Sequence, residues 1–243
     1  MLFNSYIFIF GFLPVTVLGF FWIGEKVHHR LAVAWLVGAS LFFYMWWNPA
    51  YLILLILSIL FNYSFGLVLS RADGGGTLHR KTLLAAGVAA NLALLGYYKY
   101  ANFFVDSFNS IAGTNFTIGM ILLPLAISFF TFQQIAYLVD AYRGETREYN
   151  FLHYCLFVSF FPQLIAGPIV HHREMLPQFA NEKIYRPQSL DIAIGITIFF
   201  IGLFKKVVIA DTMALHATPI FDVAETGVEL SFFAAWEGAL AYT

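Results

Sequence analysis

The forty residues from Leu31 to Ser70 contain no charged side chain. A membrane-spanning helix needs roughly 20 apolar residues, so this stretch is long enough for two. Trp46-Trp47-Asn48-Pro49 lies near its middle. Tryptophan is enriched at membrane surfaces, and proline is favoured in the first turn of a helix. The stretch therefore predicts two membrane helices joined by a tight turn, with the second helix beginning at Pro49.

The composition extends this expectation to the whole chain. Hydrophobic residues make up 60% of the 243 residues and charged residues 11%, whereas ordinary soluble domains carry about 25% charged residues. We therefore expect an all-α integral membrane protein with a single polytopic membrane region over residues 1–243. The net charge of −1 leaves no basic excess to neutralise phosphates, which argues against nucleic-acid binding. The single cysteine, Cys155, excludes an intrachain disulfide and a cysteine-based metal cluster.

Further apolar segments complete the expected membrane region. Residues 6–24, 82–98 and 192–210 are interpreted as spans, the last carrying two lysines that can extend to the membrane surface. Residues 99–115 form an amphipathic stretch expected to lie at that surface.

The distribution of lysine and arginine predicts the orientation. Loop 25–30 carries two such residues and loop 71–81 carries three, whereas the Trp46 turn carries none. Because lysine and arginine concentrate in cytoplasmic loops, both charged loops are expected in the cytoplasm. The N-terminus is then extracytoplasmic.

The apolar block of residues 122–179 carries polar and helix-breaking residues, which survive at membrane depth mainly inside protein or along a cavity. In its second half, Pro162 and Pro168 each remove a backbone donor, and Gly167 adds another weak point. A continuous span is not expected there, and basic residues on both flanks favour a re-entrant segment on the cytoplasmic side. Gln163 could bond freed carbonyls or face a ligand, and the structural role is the commoner one.

In the first half of the block, polar residues recur at helical spacing. One stripe passes through Ser128 and Thr131, and a neighbouring stripe passes through Gln133 and Asp140. Two polar stripes on one buried helix favour a wet or ligand-facing wall. Alternatively, the two hydroxyls bond back to helix carbonyls, and Asp140 pairs with Arg143 at i, i+3. Both alternatives stay open from the sequence.

Three ordered motifs carry a family resemblance. They are LPLAISFFTFQ at residues 123–133, DAYRG at 140–144 and FFPQLIAGPI at 160–169. Together they resemble the membrane-bound O-acyltransferase (MBOAT) family, and within it the bacterial alginate O-acetylation branch. GLFKKVVIAD at residues 202–211 continues the resemblance, which runs from the first spans to the last residue.

The resemblance implies a ring of membrane helices with broken or re-entrant segments, in which funnels from both faces meet near a catalytic histidine. It implies transfer of an acyl group, here acetyl, from a cytoplasmic thioester such as acetyl-CoA towards hydroxyls of an extracytoplasmic polysaccharide such as alginate. No bound cofactor or metal is expected. The implied setting is the bacterial inner membrane, with membrane lipid and an extracytoplasmic acceptor or SGNH-type acetyltransferase as partners.

On this resemblance the 122–179 block forms part of the inner wall. The substrate-path candidates are Ser128, Thr131, Gln133, Gln163, Gly167 and Pro168, and the expected structural pair is Asp140 with Arg143. None of the seven histidines occupies the family's catalytic position. We therefore expect the N-terminal portion of an MBOAT domain that continues beyond residue 243, and a chain that is inactive alone. A transporter or channel and a non-catalytic membrane scaffold are the alternatives.

Overall fold

The chain is helical, and the residues that its structure describes contain no β-strand. The structure is a computed structural model, which describes residues 1–71, 77–119, 121–145, 150–167, 175, 177–179 and 181–243. The main helices are α1 (Leu13–Lys26), α2 (His29–Met45), α3 (Pro49–Arg71), α4 (Thr77–Ala112), α5 (Ile127–Arg143), α6 (Phe151–Ser159), α7 (Phe161–Ala166), α8 (Ser189–Phe204), α9 (Asp211–Glu225) and α10 (Phe232–Tyr242). The described residues also include two π-helical turns, Phe8–Phe12 and Lys205–Ala210, and a 3-10 turn, Glu182–Tyr185.

Three of the described helical segments are long and apolar enough to cross a membrane. They are Phe8–Lys26, Pro49–Arg71 and Ser189–Glu225, and His29–Met45 and Phe151–Ile165 are shorter apolar helical segments. This architecture confirms the expected all-α integral membrane protein.

Backbone contacts divide the chain into two compact units. The first comprises Met1 and Val15–Arg186, and the second comprises Leu2–Pro14 and Pro187–Thr243. A single membrane region over the whole chain stays a prediction.

The core of the first unit lies around α5. This helix packs against both α3 and α4, while α6 packs against α2. Gly66 of α3 makes the α3–α5 approach possible, since a Cβ atom there would lie 2.3 Å from Cε1 of Tyr137. The largest fully buried apolar side chains include Tyr44, Leu55, Phe130, Leu138 and Tyr154.

The α2–α3 turn confirms the interpretation of the long uncharged stretch. Helix α2 ends at Met45, and α3 begins at Pro49. The Asn48 side-chain oxygen accepts a hydrogen bond from the Ala50 amide at 2.9 Å. Asparagine caps the helix, and proline occupies a first-turn position that needs no amide donor.

Two helices are longer than expected. Residues 82–98 and 99–115 were expected as separate elements, but α4 continues to Ala112 and ends before Gly113 at φ +64°. A change in polarity at Lys99 does not itself break hydrogen bonding, and glycine readily adopts the left-handed conformation that ends a helix. Likewise, the segment expected to end at residue 210 continues as one helical segment to Glu225.

The break expected in the second half of the 122–179 block is present. Helix α6 ends at Ser159, and α7 begins at Phe161 after Phe160, whose ψ of 108° is not helical. Pro162 lies in the first turn of α7, where its missing amide hydrogen removes no helical bond. Ser40 of α2 accepts a hydrogen bond from the Phe161 amide at 3.3 Å, so a neighbouring helix supports the broken backbone.

Candidate functional site

Two tyrosines fix the turn that leads into α5. The Tyr44 hydroxyl donates to the Leu125 carbonyl at 3.0 Å, and the Tyr51 hydroxyl donates to the Leu122 carbonyl at 2.7 Å. Ala126 follows with φ +59°, in the left-handed region that costs a residue with a Cβ about 1–2 kcal/mol. Side chains from α2 and α3 therefore hold the start of α5 in a strained backbone conformation.

Three of the candidate path residues are buried with polar atoms that make no hydrogen bond. Thr131 and Gln133 are each 1% exposed, and Gln163 is 8% exposed. The unbonded atoms are Thr131 Oγ1, both amide atoms of Gln133 and Gln163 Nε2. A buried polar group without a partner costs about 1–3 kcal/mol. These atoms can therefore hydrogen-bond a ligand or water without first giving up a protein partner.

This finding bears on two of the alternatives that the sequence left open. The Thr131 hydroxyl does not bond back to a helix carbonyl, and the Gln163 amide nitrogen does not donate to a carbonyl freed at the break. Ser128, one turn before Thr131, is half-buried. The roles of Thr131, Gln163 and Ser128 along a substrate path stay a prediction.

The open polar atoms do not all face one point. Thr131 and Gln133 are two residues apart on α5, which places them about 200° apart around the helix. Gln163 lies on α7, where Gly167 packs closely against it, since a Cβ at Gly167 would lie 2.6 Å from Gln163 Cα. Pro168 lies outside the described residues.

Sequence reasoning missed a buried polar network beside these positions. The Gln134 Oε1 atom accepts from Asn62 Nδ2 at 2.7 Å, and Gln134 Nε2 donates to Ser58 Oγ at 3.1 Å. Asn62 and Asn91 exchange two side-chain hydrogen bonds of 3.1 and 2.6 Å. We call Ser58, Asn62, Asn91 and Gln134 the polar network; it joins α3, α4 and α5.

One sequence signal could have found this network. Ser58 and Asn62 are four residues apart in the uncharged stretch, and Asn91 lies in the next apolar segment. Polar residues on neighbouring membrane helices commonly hydrogen-bond to one another. Their side-chain amides are used within the protein, so the network stabilises helix packing rather than offering an open site.

The end of α5 is held by a contact that the sequence did not indicate. Asp140 is buried and Arg143 is exposed, and their expected pairing stays a prediction. Arg80 of α4 donates to the Tyr142 carbonyl at 2.6 Å, and its guanidinium lies 5.3 Å from the centre of the Tyr142 ring. The long arginine side chain can reach this end from a neighbouring helix, and cations are favoured at the carbonyl end of a helix. Gly144 then ends the helix at φ +73°.

Tyr185 holds the segment that follows the block against the first two helices. Its ring stacks on His29 at 4.2 Å, and its hydroxyl donates to the Phe179 carbonyl at 2.7 Å. Gly24 makes room for it, since a Cβ there would lie 2.9 Å from the ring. Burial raises the pKa of the Tyr185 phenol, which keeps the hydroxyl protonated as a donor.

No metal site is apparent in the described ranges, where no group of three or more histidine, cysteine, aspartate or glutamate side chains could hold an ion. The fold and these open polar positions define a polytopic α-helical membrane protein with buried hydrogen-bonding capacity. Residues 141–237 match the model of the MBOAT, membrane-bound O-acyltransferase, family. This match confirms the resemblance to the MBOAT family that the sequence motifs indicated.

The chain is similar over its whole length to curated bacterial proteins. A "Peptidoglycan O-acetyltransferase" of Helicobacter pylori is 45% identical, with 50% of its length covered. A "Probable alginate O-acetylase AlgI" of Pseudomonas aeruginosa is 41% identical, with 45% of its length covered, and one of Azotobacter vinelandii is 40% identical, with 47% covered. The chain spans about half the length of these relatives. No solved structure matches it significantly.

Proposed function

We propose that the protein carrying this sequence transfers an acetyl group from cytoplasmic acetyl-CoA towards hydroxyls of an extracytoplasmic polysaccharide. The match to the family model supports acyl transfer, and the relatives are named for O-acetylation of alginate or peptidoglycan. Polysaccharide hydroxyls are the acceptor chemistry common to both names. The structural observation that carries the proposal is Gln133, whose buried carboxamide has no protein partner.

The chemistry defines what such a wall can contribute. The acceptor hydroxyl loses its proton as it attacks the thioester carbonyl, a C–O bond forms, and the C–S bond breaks with release of the thiol. A histidine with a pKa near 6.5 suits the general-base step, but no histidine of this chain is assigned that role. Donors aimed at a carbonyl that gains negative charge stabilise the transition state. Thr131, Gln133 and Gln163 each carry a donor that no protein group uses. Because Thr131 and Gln133 lie on different sides of α5, the role beside the reacting carbonyl is proposed for Gln133.

The same proposal includes the setting of the reaction. The protein lies in the bacterial inner membrane with its N-terminus outside the cytoplasm, as the lysine and arginine distribution favours. The acetyl group passes to an extracytoplasmic acceptor or an SGNH-type acetyltransferase partner. Ser128, Gly167 and Pro168 are proposed to line the same path.

Replacing Gln133 by leucine in the full-length protein tests the proposal. The substitution keeps a similar side-chain volume and removes both hydrogen-bonding atoms, so acetyl transfer should fall about tenfold or more if a buried hydrogen bond to the reacting group is lost. The measurement is transfer of labelled acetyl groups from acetyl-CoA to polysaccharide by membranes that contain the variant.

Phe132→Leu is the matched control, because Phe132 adjoins Gln133 but is 57% exposed. The control should retain activity, and both variants should reach the membrane at the wild-type level. Acetyl transfer by Gln133→Leu at the wild-type rate would show that Gln133 is not part of the site.

A further inference from the structure

A pocket of about 650 Å³ lies within the second unit. This volume is in the range of sites that hold small molecules. Its wall is formed by the π-helical turn, by α9 and by the end of α10, and the lining includes Lys205, Lys206, Asp211, Ala214, Ala217 and Phe221. None of these residues is used in the acyl-transfer proposal.

The charged end of the pocket coincides with a distortion of a membrane-length helix. Lys205–Ala210 form a π-helical turn inside the apolar segment Ser189–Glu225. Such turns are rare and occur often at functional sites, and ionisable residues within apolar membrane helices commonly mark ligand sites. The turn thus places two lysines and an aspartate at one pocket wall.

The charges at this wall do not cancel. Lys206 forms an ion pair with Asp211, so these two side chains compensate each other. Lys205 is exposed and has no ion-pair partner among the described residues. The pocket therefore carries one net positive charge beside an apolar surface, which suits an anionic ligand.

The rest of the lining favours a hydrocarbon chain. Ala214, Ala217 and Phe221 form an apolar wall, and the neutral polar side chains at the pocket belong to Thr218, Tyr242 and Thr243. A ligand with several amide groups, such as the arm of a coenzyme A thioester, would leave most of them unbonded against this wall. A ligand with a phosphate joined to an acyl chain fits both parts of the pocket, since the phosphate suits the lysine and the chain suits the apolar wall.

We propose that this pocket binds an anionic phospholipid, with its phosphate at Lys205 and one acyl chain along Ala214, Ala217 and Phe221. The bound lipid covers the apolar wall and neutralises the unpaired lysine. This site does not depend on the acetyl-transfer activity proposed above.

The test measures binding of fluorescent phosphatidylglycerol to the purified full-length protein in neutral detergent. Lys205→Gln should weaken binding about fivefold, since one lysine near an anionic headgroup contributes about 1 kcal/mol. Ala214→Trp should reduce binding further by filling the pocket. Lys183→Gln is the matched control, because Lys183 is exposed but lies in the first unit, and it should bind as the wild type does.

Competition distinguishes the two sources of phosphate. Unlabelled phosphatidylglycerol should displace the probe, whereas acetyl-CoA at the same concentration should not. Displacement by acetyl-CoA that is lost in Lys205→Gln would assign the pocket to the thioester and overturn the lipid proposal. Equal phosphatidylglycerol affinity in Lys205→Gln and the wild type would also overturn it.

Discussion

Gln133 and Gln134 are neighbours on α5 with opposite hydrogen-bonding states. Both are almost fully buried, yet Gln134 bonds to Ser58 and Asn62, while the Gln133 amide bonds to nothing in the protein. The sequence was sufficient to place two side-chain amides in an apolar helix. It could not predict that one amide is hydrogen-bonded and the other is not. This difference depends on the rotation of α5 relative to α3 and α4, which residue spacing along α5 alone does not determine.

Other candidate residues show the same limit. Thr131 and Asp140 are buried on α5, and Ser128 is half-buried. The Asp140–Arg143 pair stays a prediction, which rests on residues three apart being neighbours on a helix surface. Arg80 could not be inferred as the residue at the α5 end, since its contact crosses 62 positions of sequence.

The Asn62–Asn91 pair provides a stability test at the residue scale. Asn62→Leu should lower the free energy of unfolding by about 1 kcal/mol, because buried partners in α4 and α5 lose their hydrogen bonds. Asn91→Leu should lower the free energy of unfolding less in the Asn62→Leu protein than in the wild type, since its hydrogen-bond partner Asn62 is already absent there. Unfolding by SDS in mixed micelles measures all four proteins of this double-mutant cycle. Strictly additive losses would show that the two side chains are not coupled.

Helix ends were predictable where local chemistry defines them. Pro49 begins α3, and Pro162 lies at the start of α7, because proline tolerates a first turn and breaks an interior. The expected boundary near Lys99 was wrong, since a polar residue can continue a helix as readily as an apolar one. The π-helical turn Lys205–Ala210 had no such signal.

Close packing of α3 against α5 gives a prediction for Gly66. Gly66→Ala should destabilise the protein by about 1–3 kcal/mol, because the new methyl group would meet the Tyr137 ring at 2.3 Å and force the helices apart. Gly38→Ala is the matched control on α2, where nothing lies within 4 Å of the added Cβ. Thermal unfolding in detergent should show a loss for the first variant and none for the second. Equal stability of the two would contradict the close approach.

At the scale of the whole molecule, composition and motifs were sufficient for the class and family. The uncharged stretch and the low charged fraction led to an all-α membrane protein, and the three ordered motifs led to the resemblance to the MBOAT family. The packing of helices into two units was not evident, because it depends on contacts between residues far apart in sequence. Membrane orientation rests on lysine and arginine counts and stays a prediction.

Cysteine labelling in intact cells tests that orientation. Cys155 is the single cysteine of these 243 residues and is buried, so this part of the protein should give little background with a membrane-impermeant maleimide. Trp47→Cys, in the exposed α2–α3 turn, should label from outside the cell. Lys183→Cys should label only after permeabilisation. The reverse pattern would invert the proposed topology.

The unbonded atoms of Thr131, Gln133 and Gln163 have a consequence for thermodynamic linkage. Each costs free energy while the protein is unliganded, and a molecule that binds any of them in the folded state but not in the unfolded chain shifts the equilibrium towards folding. At a ligand concentration of about 100 times Kd, the gain is roughly 2.7 kcal/mol. The melting temperature should therefore rise with each ligand that hydrogen-bonds these side chains. Candidate acyl donors and acyl acceptors can then be ranked by this rise without measuring acetyl transfer.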